Sequence, residues 1–380
     1  MIHTTKELQR LCARLNKQKF ITVDTEFIRE KTFYPELCLI QIGADKGAWV
    51  VDALAENLDL SPLWELFLNK NVIKVFHACR QDLEIFYHLM HKMPTPVFDT
   101  QVGAMVCGYP SDVGYQRLVK DYLGIDLDKG MRVTDWSHRP LSKEQEEYAL
   151  HDVIELKTVY TKMMAEICKM NRLDWVQEEI QNLLDPKLYE PDAVCLLNKM
   201  RLPFHDPAKI HLCARLCEWR EEWAKKANLP RQYILSDISL IECAAIQAKE
   251  EKDFDALRSL SKGFLKNEIG QSLLAFCQKV AREPIQDWPL EKHYVLHPNK
   301  KNRVDALRLL LNTVCEENKV APSLVASTED LVHYFLQPDE VRFMHGWRYQ
   351  IFGKRVQDLM AGKIAFVFDP IKKSLIVRSI

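Results

Sequence analysis

The sequence predicts an α/β domain followed by two helical domains, and three observations support this division. Runs of β-branched and aromatic residues, which indicate strands, recur up to about residue 98. Beyond Asn171 these runs nearly vanish, and apolar residues recur at helical spacing. The length of 380 residues also exceeds that of one ordinary domain. We therefore expect an α/β domain at residues 1–190 and all-helical domains at 207–290 and 295–380.

The α/β domain opens with three strand candidates that lie close together in the sequence. They cover residues 20–27, 38–42 and 48–51. Gly43 and Gly47 separate the last two, and this short spacing predicts a meander of antiparallel strands. Further strands are predicted at 72–76 and 97–98, with a helix at about 81–91 between them.

Several residues mark the starts of helices. Ser61 precedes a proline, a pattern that predicts an N-cap followed by proline at the first helical position. Asp99 is well placed to cap the next helix. Ser142 and Gln145 form a capping-box pattern, and the apolar residues after them predict one long helix to about residue 167.

The second half of the chain is divided by prolines. They concentrate between about residues 185 and 207, which predicts a connector. Similar leucine-rich amphipathic helices follow at 211–216 and at 304–311, near the start of each helical domain. Two related helical units are therefore expected.

The composition excludes some classes of protein. The chain is 47% hydrophobic and 28% charged, as folded proteins are. No run approaches about 18 uninterrupted apolar residues, so we expect no membrane span. The polar N-terminal segment, Met1 to Arg10, lacks a signal-peptide core, and a cytoplasmic protein is expected. The net charge of −1 does not by itself indicate a nucleic-acid partner.

Eleven cysteines raise the question of a zinc site or disulfides. No Cys-x-x-Cys pair occurs, and the closest pair, Cys213 and Cys217, is spaced as on one helix face. The odd count and the wide spread predict reduced, buried thiols instead.

Asp24 and Glu26 are two residues apart on the first predicted strand, so both side chains leave the same face of the sheet. Two neighbouring carboxylates repel each other, and burial increases the penalty. A divalent cation is the simplest compensation. On its own, this pair is also explained by a strand end that reaches solvent.

Three more residues have similarly ordinary explanations when each is considered alone. Tyr148 and Asp152 are spaced i, i+4 on one face of the long helix, which an exposed helix face would also explain. Asp82 lies in the first turn of the helix after the fourth strand, where the helix dipole favours an acid.

The order of these residues resembles the DEDD 3′→5′ exonucleases of the tyrosine subtype, and the flanking segments resemble ribonuclease D. The similar segments are Val23-Asp24-Thr25-Glu26-Phe27, Tyr34-Pro35-Glu36-Leu37, His77-Ala78 with Asp82-Leu83-Glu84, Leu127-Asp128-Lys129, Thr134-Asp135-Trp136, Arg139-Pro140-Leu141, and Tyr148-Ala149 with Asp152-Val153. The helical units look like the paired helicase-and-ribonuclease-D C-terminal (HRDC) domains of that family.

The resemblance implies a ribonuclease-H-like fold, a mixed sheet flanked by helices, and nucleotide release from RNA 3′ ends. Asp24 would contact two divalent cations, Mg²⁺ or Mn²⁺, while Glu26 and Asp152 would complete the site that activates water. Asp82 would serve the second cation, and Tyr148 would orient the attacking water. The family further suggests transfer-RNA precursors and other small structured RNAs as substrates.

Four other residues are weaker candidates for substrate binding: Phe27, His77, Lys129 and Trp136. His77 could equally pack at a strand end. For Lys129 and Trp136, the sequence leaves binding and packing open.

Two alternative functions are compatible with the sequence. A DNA 3′→5′ exonuclease would keep the fold and change the substrate, although no polymerase or helicase motor follows. A non-catalytic RNA-binding scaffold would require a decayed active site, whereas all four carboxylates and the tyrosine are present. Protein partners cannot be read from the sequence.

Overall fold

The computed structural model describes residues 1–127, 134–290, 301–371 and 373–380. Its N-terminal strands form one mixed sheet in the order β3-β2-β1-β4-β5. The strands are β1 Phe20–Ile28, β2 Glu36–Ala44, β3 Gly47–Asp52, β4 Ile73–Phe76 and β5 Val97–Asp99. The first three are antiparallel, as the meander predicted, and β4 and β5 run parallel to β1.

Helices flank this sheet. They are α1 Thr5–Leu15, α2 Ser61–Leu68, α3 Arg80–Met90, α4 Thr100–Val106, α5 Tyr115–Leu123, α6 Lys143–Lys169 and α7 Leu173–Leu183. The longest, α6, spans 27 residues and contacts β1, β2, β3 and β4. Its buried residues recur at helical spacing, from Ala149 through Val153 and Leu156 to Ile167, which holds the helix across the sheet.

Two of the three predicted helix caps are confirmed. Ser142 and Gln145 form the capping box of α6, and the Asp99 side chain accepts a hydrogen bond from Gln101 N. The predicted cap at Ser61 is wrong, because the helix already includes Ser61 and its N-cap is Leu60. The Asp59 carboxylate accepts hydrogen bonds from the amide and hydroxyl of Ser61, and this turn positions the serine inside the helix.

The first helical domain has its own hydrophobic core. It comprises α8 Ala193–Asn198, α9 Pro207–Ala227, α10 Arg231–Ile234, α11 Asp237–Ile246, α12 Glu251–Asp255 and α13 Glu268–Val280. Leu196 and Leu197 of α8 are part of this core. The second part of the predicted connector therefore packs with the helical domain.

The last domain is helical except at its end. It comprises α14 Lys301–Asn318, α15 Pro322–Val325, α16 Thr328–His333, α17 Gly346–Arg348, α18 Lys354–Met360, β6 Ile364–Asp369 and β7 Ser374–Ser379. The antiparallel pair of β6 and β7 differs from the expected all-helical domain. Both segments are short and rich in β-branched residues or phenylalanine, a composition that favours strands over helix.

The last domain packs directly on the α/β domain. Apolar residues of both form one continuous core. The rings of Trp175 and Trp347 stack with centroids 4.1 Å apart, and Arg348, which is 4% exposed, pairs with Glu178 and Glu179. Packing and charge pairing together fix this domain against α7.

The first helical domain contacts the loop after β1. Asn228 Oδ1 accepts hydrogen bonds from the backbone amides of Phe33 and Tyr34, at 3.1 and 3.2 Å. The Arg231 guanidinium lies over the Phe33 ring, 4.7 Å from its centroid. This loop continues the strand that carries Asp24, so the helical domain supports the strand from outside.

The cysteines agree with the sequence analysis, since all eleven are free thiols and eight of them are buried. Within the described residues, no helix has both the length and the apolar character that crossing a bilayer requires.

Candidate active site

The first two carboxylates of the site are presented by β1. Asp24 and Glu26 alternate with buried Val23 and Thr25, so the acids share the face that α6 covers. The ladder to β2 is irregular between Glu26 and Phe27. The extra residue is Cys38 of β2, opposite the step from Glu26 to Phe27, and such bulges re-aim side chains near the end of a strand.

Helix α6 brings Asp152 and Tyr148 to the same place. Thr22 Oγ1 donates a 2.7 Å hydrogen bond to the carbonyl of Val153, the residue after Asp152. On the neighbouring strand, a Cβ at Gly43 would lie only 2.6 Å from that same carbonyl oxygen. Glycine thus lets the helix backbone approach the sheet closely enough for Asp152 to reach the strand carboxylates.

Asp24, Glu26 and Asp152 converge into one cluster. Each offers a carboxylate oxygen, and these oxygens all lie within 4.8 Å of one another. Oxygen donors of this kind suit a hard divalent cation such as Mg²⁺ or Mn²⁺ rather than zinc. The donor set therefore fits such a cation, and the sequence-predicted residues from β1 and α6 do come together.

Electrostatics supports the same conclusion. Burial and the charges of Asp152, Asp82 and Glu26 raise the pKa of Asp24 well above its usual range. Burial, followed by Asp152 and Asp82, raises the pKa of Glu26 to about 8. The pKa of Asp152 is raised to about 7, chiefly by burial and then by Glu155. Carboxylates in this position ionise together only when positive charge is supplied.

Asp82 lies beside this cluster in the first turn of α3. It is 7% exposed, and its Oδ1 accepts a hydrogen bond from the Thr25 hydroxyl. Burial raises its pKa to about 6, although the Thr25 hydrogen bond opposes the shift. The structure thus separates three clustered acids from a fourth that Thr25 orients next to them.

A cleft opens above the cluster, and its walls come from several elements. Described residues that line it include Asp24, Glu26, His77, Tyr115, Arg117, Lys120, Tyr148, Asp152 and Glu155. Arg117 and Lys120 of α5 also line the cleft, where they pair with Asp121 and Asp126 at 2.7 and 2.8 Å. The cleft thus combines cation-binding oxygens with two cationic side chains whose charge is paired.

Comparisons with known proteins agree with this geometry. Residues 1–168 match the family described as 3′→5′ exonuclease. The ribonuclease D of Nitrobacter hamburgensis is 38% identical over 380 residues, which cover 100% of this chain and 98% of the relative. That of Zymomonas mobilis is 39% identical over 370 residues, covering 96% and 95%. The chain belongs to the ribonuclease D family.

The family is also supported by a solved structure. The crystal structure of Escherichia coli RNase D, an exoribonuclease involved in structured RNA processing, matches with a TM-score of 0.78 at 27% identity. The match covers 95% of this chain and 98% of that one. Membership of the ribonuclease D family makes the protein a 3′→5′ exoribonuclease with a ribonuclease-H-like catalytic domain.

The first helical domain is an HRDC domain, since residues 211–277 match that family. The match begins within α9 and ends within α13, and so spans most of the domain core. That the last domain is a second, diverged HRDC unit stays a prediction.

The weaker candidates for substrate binding occupy different environments. His77 lines the cleft, whereas Phe27 is half-buried beside the irregularity in the ladder of β1 and β2. Trp136 is only 4% exposed, and its ring lies 6.1 Å from that of Tyr148. It therefore packs behind the tyrosine rather than facing the cleft. Lys129 lies outside the described residues.

His77 is held in a defined orientation. Its Nδ1 lies 3.0 Å from the Thr100 hydroxyl, which in turn lies 3.0 Å from the carbonyl oxygen of Phe76. The Thr100 hydroxyl, itself held by that carbonyl, therefore fixes the orientation of the imidazole ring. Burial lowers the pKa of His77, so the imidazole beside the cleft is neutral near pH 7.

Two contributions to the site were not recognised from the sequence. Asp99, predicted as a cap, also accepts hydrogen bonds from the amides of Ala78 and Cys79, at 3.0 and 2.8 Å. These bonds hold Ala78 at a φ of 57°, a strained value at the turn after His77. Tyr115 lines the cleft, but nothing in its sequence context distinguishes it from a core aromatic residue.

Proposed function

We propose that this exoribonuclease releases nucleoside monophosphates from RNA 3′ ends with two divalent cations, Mg²⁺ or Mn²⁺. We also propose that it matures the 3′ ends of transfer-RNA precursors and other small structured RNAs. The observation that carries the proposal is the convergence of Asp24, Glu26 and Asp152 at the floor of the cleft. Escherichia coli RNase D, described as an exoribonuclease of structured RNA, supports the choice of substrate.

Each of the four carboxylates would have its own role in binding the cations. Asp24 would hold both cations, Glu26 and Asp152 would complete the first site, and Asp82 would serve the second. When bound, such a pair of cations stabilises the attacking and leaving oxygens of an in-line displacement at phosphorus. The carboxylates must be ionised to bind them, so cation binding displaces the protons that burial favours.

Tyr148 and the cleft walls would position the reactants. Tyr148 precedes Asp152 by one helical turn and lines the cleft, where its hydroxyl would orient the attacking water. Arg117 and Lys120 would exchange their ion pairs with Asp121 and Asp126 for phosphates of the incoming strand. His77 and Tyr115, whose rings lie 5.7 Å apart, would contact the terminal nucleotide.

The test is digestion of a 5′-labelled transfer-RNA precursor and of DNA with the same sequence, with Mg²⁺, with Mn²⁺ or with a chelator. We expect RNA shortening by single nucleotides only with a cation, and little cleavage of DNA. Equal cleavage of DNA would favour a DNA exonuclease, and no cation-dependent cleavage would favour an RNA-binding scaffold. Stalling at the mature 3′ end would support maturation, whereas complete digestion would contradict it.

Variants connect this activity to the carboxylates. Asp152→Asn should abolish nucleotide release while leaving RNA binding, measured by gel shift, within about threefold of wild type. Asp45→Asn is the matched control, because Asp45 is exposed in the turn between β2 and β3. Normal turnover by Asp152→Asn would contradict the proposed site.

A further inference from the structure

Gln41 on β2 is a buried polar residue whose side-chain amide has no partner among the described residues. It is 0% exposed, and neither Nε2 nor Oε1 has a hydrogen-bond partner within the part of the chain that the structure describes. An unbonded amide inside a protein is costly, because the group has lost its hydrogen bonds to water. An apolar side chain of the same size would avoid this cost. The amide therefore indicates a role other than filling the core.

The position of Gln41 relates it to the carboxylate cluster. It lies directly opposite Asp24 in the antiparallel ladder of β1 and β2. Opposite residues in a ladder point to the same face, with Cβ atoms about 5 Å apart. The side chains of Gln41 and Asp24 are therefore neighbours on the face that α6 covers.

The residues on either side of Gln41 show which turn of α6 lies above it. Two positions along β2 in one direction, Gly43 meets the carbonyl of Val153. Two positions in the other direction, Leu39 packs in the same cluster as Ala149. Gln41 thus lies under the turn from Ala149 to Val153, which carries Asp152. It is not among the residues that line the cleft, so it lies beneath the cluster.

Asp24 lacks the kind of partner that Gln41 could provide. Its carboxylate interacts with the backbone of Thr25 and with other charges, and no described side chain donates a hydrogen bond to it. Asp82, by contrast, is oriented by the Thr25 hydroxyl. Carboxylates that bind a cation are normally oriented by a further hydrogen bond of this kind.

We propose that Gln41 is the positioning residue of Asp24. After rotation of its side chain, or through one bridging water, its Nε2 donates a hydrogen bond to the Asp24 carboxylate and holds that carboxylate in the orientation that binds cations. This inference rests on the proposed metal site. Gln has three side-chain torsions, and rotation about them brings Nε2 toward the neighbouring strand. Because the residue is fully buried, bulk water does not compete for the bond.

Gln41→Met tests the proposal, since methionine keeps the length of the side chain and removes the amide. We expect the Kd for Mn²⁺, measured on the full chain by calorimetry or by counting free Mn²⁺ with electron paramagnetic resonance, to rise about 10- to 100-fold. The Tm measured with a chelator should change little, because loss of the hydrogen bond to Asp24 is offset by removal of the unbonded amide oxygen. Nucleotide release should recover as Mn²⁺ is raised toward saturation.

Val50→Ala is the packing control. Val50 flanks Gln41 on the side away from Asp24 and is buried on the same face. Its truncation should lower the Tm and leave the Kd for Mn²⁺ within about twofold. The proposal is overturned if Gln41→Met lowers the Tm with an unchanged Kd, or if Val50→Ala weakens Mn²⁺ binding equally. If the wild-type protein itself binds no Mn²⁺, the proposed metal site fails, and this inference fails with it.

Discussion

Replacement of Glu26 by glutamine should stabilise the protein when no cation is present. Burial and neighbouring acids raise the pKa of Glu26 from 4.5 to about 8. Between these two values the folded protein holds a proton that the unfolded chain has released. The free energy of unfolding of the wild type therefore falls as pH rises through this window. Glutamine never ionises, so it removes that penalty.

The size of the effect follows from the pKa. Each tenfold change in proton affinity corresponds to about 1.4 kcal/mol. The shift from 4.5 to about 8 therefore sets an upper limit of about 5 kcal/mol above pH 8. The buried glutamine amide would be incompletely hydrogen-bonded, and this cost offsets part of the stabilisation. We expect a net stabilisation of about 2 kcal/mol at pH 8.5 and almost none at pH 4.5.

Thermal unfolding in a chelator, followed from pH 4.5 to 8.5, measures this dependence. The Tm of the variant should equal that of the wild type at pH 4.5 and exceed it by roughly 4 to 6 °C at pH 8.5. Glu56→Gln is the control, because Glu56 is exposed and its replacement should change the Tm equally little at each pH. A difference between Glu26→Gln and wild type that does not grow with pH would refute the raised pKa.

Adding Mn²⁺ should make the wild type more stable than Glu26→Gln. A ligand that binds only the folded state stabilises it in proportion to the logarithm of its concentration over Kd. The wild type should therefore gain stability as Mn²⁺ is added at pH 7.5, whereas Glu26→Gln should gain much less. Equal gains in the two proteins would mean that Glu26 is not part of the cation site.

Three further predictions address the water-orienting hydroxyl, a buried lysine and the contact between domains. Tyr148→Phe should lower kcat about tenfold with an unchanged Kd for Mn²⁺; loss of folding would instead indicate a packing role. Lys74→Met should lower the free energy of unfolding, measured with urea, by about 2–3 kcal/mol. The reason is that Lys74 Nζ donates hydrogen bonds to the carbonyls of Asn69, Val72 and Thr95. Arg348→Met leaves Glu178 and Glu179 unpaired, so limited proteolysis should release the last domain more readily; an unchanged digestion pattern would contradict its role in docking.

Local features of the sequence predicted much of the fold, because they depend on neighbouring residues. The capping box at Ser142 and the cap at Asp99 involve partners within three residues. The cap at Ser61 was mispredicted for the same reason, since Asp59 competes from two residues away. The hairpin of β6 and β7 was not predicted, because the helical assignment of the last domain rested on the leucine-rich segment of α14.

The site was only partly predictable. The two-residue spacing of Asp24 and Glu26 and the four-residue spacing of Tyr148 and Asp152 establish which side chains share a face. These two pairs of side chains come together only because α6 crosses the sheet. The crossing depends on the close contact between Gly43 and Val153, which are far apart in sequence. No local pattern contains that contact, and so the order of motifs in a known family had to supply it.

The contacts between domains could not be predicted either. The stacking of Trp175 on Trp347 joins residues from two domains, and each tryptophan alone is consistent with an ordinary core position. Asn228 terminates α9 in the left-handed conformation, a common helix end, and its side chain also binds the loop after β1. When a local role already explains a residue, the sequence does not reveal a second role in a long-range contact.

One strand explains how the fold tolerates this site. Along β1, Ile21 and Val23 are fully buried on one face, while Asp24 and Glu26 lie on the other face under α6. The apolar face anchors the strand independently of the acids, so unfavourable charge can accumulate opposite it without loss of the strand. Substitutions at the acids should therefore change cation binding and pH dependence before they change the fold, whereas Val23→Ala should lower the free energy of unfolding by about 2 kcal/mol with the acids intact.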